Sequence, residues 1–133
     1  MRLAMSFACL LVCCLGCSSV DRQPVRSAPS SRCVTLPRFN VQGVAYGDGV
    51  TLAEARLIGD SYFRIVVGSC GMPDVPQDRG SLWCTQLWGG IAGSDSGLLW
   101  VAKDGNRIQF DPPRGWAGSS QKRWLDSQGI VYE

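Results

Sequence analysis

The sequence predicts a small, mostly β domain: an antiparallel meander or barrel-like sheet with one or two short helices, stabilised by a disulfide. Three observations predict it. Gly and Pro, 16 and 7 of 133 residues, punctuate the chain at short intervals, and Val, Ile, Tyr, Phe and Trp fill the gaps. That texture belongs to short strands and turns rather than long helices. Asp104-Gly105 stands between two apolar runs, in LLWVAKDGNRIQF at 98–110, as a two-residue hairpin turn. Finally, Cys33, Cys70 and Cys84 fall in a stretch of about 100 residues, a size at which the core is modest and cross-links are valuable.

The chain begins with a segment of a different kind. Residues 1–16, MRLAMSFACLLVCCLG, carry one positive charge, Arg2, and then an apolar stretch from Leu3 to Leu15. This has the length of a secretory h-region and is too short for an ordinary transmembrane helix. Gly16 precedes Cys17. The segment resembles the leader and lipobox of bacterial lipoproteins, in which the cysteine is lipidated and becomes the mature N-terminus. Cys14 and Leu15 stand where that pattern most often has Leu and a small residue. The resemblance implies a lipidated Cys17 and, with Ser18 rather than Asp after it, an outer-membrane anchor with the chain facing the periplasm. Several acyl chains hold firmly where one binds marginally, since each buried CH₂ contributes about 0.8 kcal/mol. Residues 17–32, rich in Ser with Pro and Arg and without apolar period, read as a flexible tether of about 20 Å end to end. Residues 33–133 then form a single globular domain.

Within the domain, NVQGVAY at 40–46 is a short strand candidate and SYFRIVVG at 61–68 a stronger one. VTLAEARLI at 50–58 is open to two readings. Thr51 and Glu54 form a capping-box pattern with Gly59 as a helix stop. Asp48-Gly49 and Gly59-Asp60 are also hairpin turn pairs, and the meander spacing favours a strand. LWCTQLW at 82–88 is a strand with Leu82, Cys84, Gln86 and Trp88 on one face and Trp83, Thr85 and Leu87 on the other. GGIAGSDSG at 89–97 reads as a flexible loop. In the hairpin, Lys103 faces Asn106, Val101 faces Ile108 and Leu99 faces Phe110. Leu99, Val101, Ile108 and Phe110 are therefore core, and Trp100 lies on the opposite face. DPPRGWAG at 111–118 is a loop held extended by its prolines. SSQKRWLDSQG at 119–129 is a helix capped by Ser119 or Ser120 and by Gly129, and IVY at 130–132 a last strand. The favoured disulfide is Cys70–Cys84, closing a short Pro- and Gly-containing loop, with Cys33–Cys84 second; the chain-entropy gain is about 3 kcal/mol for a loop of this size.

The chemistry is narrowed by what the chain lacks. It contains no histidine, which removes Ser-His-Asp and Cys-His catalysis and the commonest zinc ligand sets. It has no GxxxxGK[ST] loop. Asp95, Asp104 and Asp111 come from neighbouring loops, and no pair stands out for acid–base work. Beyond Arg2, 12 of the 13 Lys/Arg face 11 Asp/Glu, a balance with no basic block for nucleic acid. The reading is a binding protein, not an enzyme, with no cofactor and no metal. Five tryptophans crowd residues 83–124. Trp83, Trp88 and Trp124 are assigned to the core; Trp100 and Trp116, with Arg107 and Arg114, form the candidate recognition patch, because indole offers a flat apolar face and one donor.

GSDSG at 93–97 followed by LLWVAKDG at 98–105 is also similar to the inhibitory region of membrane-bound lysozyme inhibitors of the C-type family, small β-barrel lipoproteins. That resemblance spans about a dozen residues, with different spacing between Trp100 and Lys103. It implies that Ser94 or Ser96 and Lys103 reach together into a hydrolase cleft. The sequence thus leads to two functional expectations. One is an outer-membrane-anchored, periplasmic binding or envelope-assembly module, whose partners are the bilayer and an envelope protein or cell-wall component. The other is an inhibitor or immunity protein against a cell-wall hydrolase.

Overall fold

A computed structural model describes residues 26–68, 70–90 and 93–132. The leader, Cys17 and the first part of the tether lie outside the described residues. The elements run β1 (Val34–Leu36), α1 (Leu52–Val66), β2 (Gly71–Pro73), β3 (Gln77–Arg79), β4 (Leu82–Gly89), β5 (Ser94–Ala102), β6 (Ile108–Asp111) and α2 (Ser120–Ser127). The strands make one antiparallel six-stranded sheet in the order β1-β6-β5-β4-β2, with β3 also pairing to β4. It is open, with β1 at one edge and β2 and β3 at the other, so the barrel-like expectation gives way to an open sheet. No helix among the described residues is long and apolar enough to cross a membrane.

The hairpin forms in the expected register. Val101 pairs with Ile108, Leu99 with Phe110 and Trp100 with Gln109, and Leu99, Val101, Ile108 and Phe110 are all buried in the main core. Gly105, at φ +76°, turns the chain, and a Cβ there would sit 2.1 Å from the Tyr46 carbonyl oxygen; only glycine fits. β4 has the expected alternation, with Leu87 and Thr85 facing inward and a register shift between Gln86 and Trp88.

The first half differs from the strand reading. Residues 52–66 are a single helix, α1, so neither 50–58 nor 61–68 is a strand. Thr51 Oγ1 accepts from Glu54 N–H at 3.3 Å while the Glu54 carboxylate accepts from Thr51 N–H at 2.8 Å, the reciprocal cap that the sequence spells. Ala55, Ile58, Gly59, Tyr62, Phe63 and Val66 are the buried face, a 3.6-residue period that continues straight through Gly59-Asp60. Gly59 is no stop. It lies against the sheet, where a Cβ would meet Thr85 Cγ2 at 3.6 Å. Residues 40–46 form irregular turns, and 130–132 are not a strand. α2 is capped as expected: Ser119 Oγ accepts from Lys122 N–H at 3.1 Å, and Gly129 has φ +66°.

No disulfide joins the three described cysteines, all of which are free thiols. The register explains why. Gly90 N–H donates to Cys70 O, whereas Cys84 lies opposite Gln77 and Trp100. Along β4 that separation is roughly 20 Å, far beyond the Cα spacing of about 7 Å that a disulfide tolerates. Cys33 precedes β1, three strand spacings from β4, or about 14 Å. The expected Cys70–Cys84 bridge and its Cys33–Cys84 alternative are both ruled out by this geometry.

Candidate functional site

The β5–β6 hairpin gives the sheet two distinct ends, and the candidate residues divide between them. At the turn end, Lys103 Nζ lies 2.7 Å from Asp78 Oδ1 and 4.4 Å from the centre of the Trp83 ring. Trp83 Nε1 donates to Val50 O at 2.8 Å, and Val50 N–H donates to Lys103 O at 2.7 Å. Arg38 Nη1 donates to Gly105 O at 3.0 Å. Lys103's hydrogen bond holds the Asp78 carboxyl below its ordinary range. Arg107 is exposed at the same end, its carbonyl accepting from Ala102 N–H. These contacts tie the start of α1, β3 and the hairpin turn together.

At the open end the chain leaves a cleft of about 140 Å³. Ser96 of β5, Val67 just after α1, Arg114 and Trp116 of the β6–α2 loop, and Ser119 and Gln121 at the start of α2 line it. The loop comes to this place because Pro112-Pro113 carry the chain out of β6 and a 3-10 turn, Trp116–Gly118, leads into α2. Gln121 Nε2 donates to Val67 O at 2.9 Å, closing the wall between α2 and α1. Trp116 is 7% exposed, packs edge-on against Phe110 and Tyr132, and has no acceptor for its indole N–H. Arg114 is exposed at the rim. The arrangement offers one exposed cation, Arg114, hydroxyls at Ser96 and Ser119, and the N-terminal amides of α2, a set suited to acidic or hydrogen-bond-accepting groups. Among the described residues no cluster of three metal-ligating side chains occurs.

The expected Trp/Arg patch is therefore not assembled. Trp100 is fully buried on the sheet face away from the helices, beside Cys84, and its indole N–H is unpartnered. Trp116 is buried on the inner side, against Phe110. Arg107 and Arg114 stand at opposite ends. Sequence alternation put Trp100 on the correct face but could not show that this face is covered over β4 and β5. Of the three tryptophans assigned to the core, Trp83 packs half-buried against it, Trp88 is half-buried with its N–H donating to Asp74 at 2.9 Å, and Trp124 is 47% exposed.

The residues of the inhibitor resemblance are also separated. Ser94 and Ser96 open β5 and are followed, after Ala102 at its end, by Lys103; about 30 Å of strand lies between Ser94 and Lys103. Ser94 is exposed and its carbonyl accepts from Ser96 Oγ at 3.2 Å. The stretch 94–97 is strand, not flexible loop. Asp104 is used by its turn, accepting from Asn106 N–H at 3.0 Å. Asp95 accepts from Gln86 Nε2 and from Gly97 N–H.

The thiols are of two kinds. Burial pushes Cys84 up to about 12 against the opposing charge of Arg79, and pushes Cys33 up to about 11 with help from Asp111 and against Arg107. Both stay protonated at neutral pH. Cys70 is exposed. Sequence reasoning missed Val67 and Gln121 as cleft residues; the helical period through Phe63 and Val66 was the available signal for the first, and nothing local signals the second.

No protein-family model matches the chain, and comparison with curated proteins and with solved structures likewise found no match.

Proposed function

We propose that this protein is a lipid-anchored binding module of the bacterial envelope, held in the outer membrane through Cys17 and facing the periplasm. Its open-end cleft takes an acidic or acceptor-rich group of an envelope protein or cell-wall component. The observation that carries the binding half is the convergence of Ser96, Arg114 and Trp116 on one cleft. The lipobox-like leader at 1–16, followed by Cys17, supports the anchoring half. The cleft residues include no acid–base pair and no nucleophile with a base, so recognition fits them better than turnover. The inhibitor reading now requires Ser94 or Ser96 to act without Lys103, and is the weaker alternative.

Two measurements test the proposal. Metabolic labelling with palmitate marks the wild-type protein and not Cys17→Ala; a labelled Cys17→Ala, or an unlabelled wild type, ends the anchor reading. A photo-cross-linking residue placed at Ser120, exposed between the cleft-lining Ser119 and Gln121, captures a discrete envelope partner in cells, and the same probe at Lys103 does not. Equal capture at both ends, or none at Ser120, ends the cleft reading. Failure to inhibit lysozyme at micromolar concentration removes that target from the alternative.

A further inference from the structure

We propose that residues 26–32 are a strap latched to the sheet by Asp111, so that the leash between lipid and domain is much shorter than the sequence suggests. Asp111 ends β6, on the sheet face away from the helices, and its side chain is only 3% exposed. Three donors from the strap converge on it: Ser30 Oγ at 2.6 Å, Ser30 N–H at 3.0 Å and Arg26 Nη1 at 3.2 Å. They lie 81 and 85 positions away in sequence. Ser30 Oγ also accepts from Arg32 N–H, and Cys33 N–H donates to Ser30 O, so the turn into β1 is built on the same residue.

A buried carboxylate without partners is strongly unfavourable, and the strap supplies the partners at this one. Burial also shields these charge-assisted bonds from water and salt more than an exposed pair. Arg26 itself is half exposed and contributes less than the two Ser30 bonds. The latch has a consequence for reach, which rests on the anchor reading. With 26–32 docked, the chain between Cys17 and the first latched residue is 18–25, whose covalent length sets a limit of roughly 27 Å; with the latch released, 18–32 sets a limit of roughly 50 Å. Because the strap joins the sheet at its open end, the leash emerges from the same end as the cleft.

The test uses the full-length lipidated protein in vesicles. Trypsin cuts after Arg26 and Arg32 are slow in the wild type. In Asp111→Ala they accelerate at least tenfold, while cuts after Arg107 and Arg123, within the domain, keep their wild-type rates. Ser30→Ala, which removes the shortest bond and leaves the carboxylate, gives a smaller acceleration at the same two sites. Unchanged cutting at 26 and 32 in both variants, or acceleration only in step with the domain cuts, overturns the latch. Energy transfer from a dye on Cys70 to an acceptor lipid reads the leash: Asp111→Ala lowers it. Faster strap cutting with unchanged transfer overturns the claim about reach and leaves the latch standing. Protein that fails to stay on vesicles overturns the anchor reading, while the cutting pattern still decides the latch.

Discussion

The turn end and the open end of the β5–β6 hairpin are made of similar residues and put to different use. At the turn end, Lys103, Asp78, Trp83, Arg38 and Val50 satisfy one another through backbone and side-chain bonds. At the open end, Arg114 and Ser119 border a cleft, Trp116 keeps an unpaired N–H, and Asp111 grips a distant strap. The difference teaches that a cation–aromatic pairing in the sequence does not mark a binding site by itself. What separates the two ends is whether the chain returns to satisfy the groups locally. Stability should therefore depend most on the middle and the turn end, and binding on the open end.

The largest expected effect tests the middle. Trp100→Ala removes a fully buried ring from the sheet and should lower unfolding free energy by about 3–5 kcal/mol, read from the denaturant midpoint. A loss below about 1 kcal/mol would mean that the ring is a surface group after all. Next comes Gly105→Ala. The positive φ and the Tyr46 carbonyl predict a loss of about 2–4 kcal/mol, with cross-linking at the cleft retained per folded molecule. If that substitution abolishes cleft binding in protein that is still folded, the two ends are coupled and the division of labour fails.

The thiols give a pH test. In Cys33 and Cys84 the folded pKa is raised from 9.0, to about 11 and about 12. A raised pKa means that the unfolded chain loses these protons first. The stability they contribute is full below pH 9 and is lost as pH rises toward 12. Cys84→Ala should flatten much of that alkaline decline. In the native protein at neutral pH, a thiol reagent should find exposed Cys70 quickly, half-buried Cys33 more slowly and buried Cys84 only on unfolding; equal rates at all three would contradict the burial.

Smaller effects sharpen the contrast. Gly59→Ala places a methyl group at ordinary contact distance from Thr85 and improves helix propensity, so thermal unfolding should report a gain of about 0.5–1 kcal/mol. Arg114→Ala should leave stability within about 0.5 kcal/mol yet remove the cross-link at the cleft. The smallest change is expected for Asp78→Asn: its side chain is 63% exposed, and the denaturation midpoint near neutral pH should not move measurably.

How much of this was legible depends on the range of the interactions. The hairpin register and inner face were readable because the turn residues and the alternation act within 98–110. The α2 caps at Ser119 and Gly129 were readable for the same reason. The Thr51–Glu54 cap pointed to α1, but Gly59-Asp60 and the β-branched run in 61–68 argued locally for turn and strand. A helix with Ile, Val, Tyr and Phe on one stripe gains most of its stability from the sheet it covers, and all of that sheet except β1 comes from residues 71–111. The cleft was partly legible: Ser96, Arg114 and Trp116 were candidates, but grouped with Trp100, Arg107 and Lys103, which the fold sends elsewhere.

By itself the sequence determined which residues share a face, and where one turn and one helix begin and end. Those properties follow from dihedral preferences and spacing over a few residues. Only the tertiary structure decided that Trp100 is covered, that the cysteines stand too far apart to bridge, and that Asp111 holds residues 26–32. Each of these depends on how far apart strands and segments lie once the chain has closed on itself, and no local propensity encodes that distance.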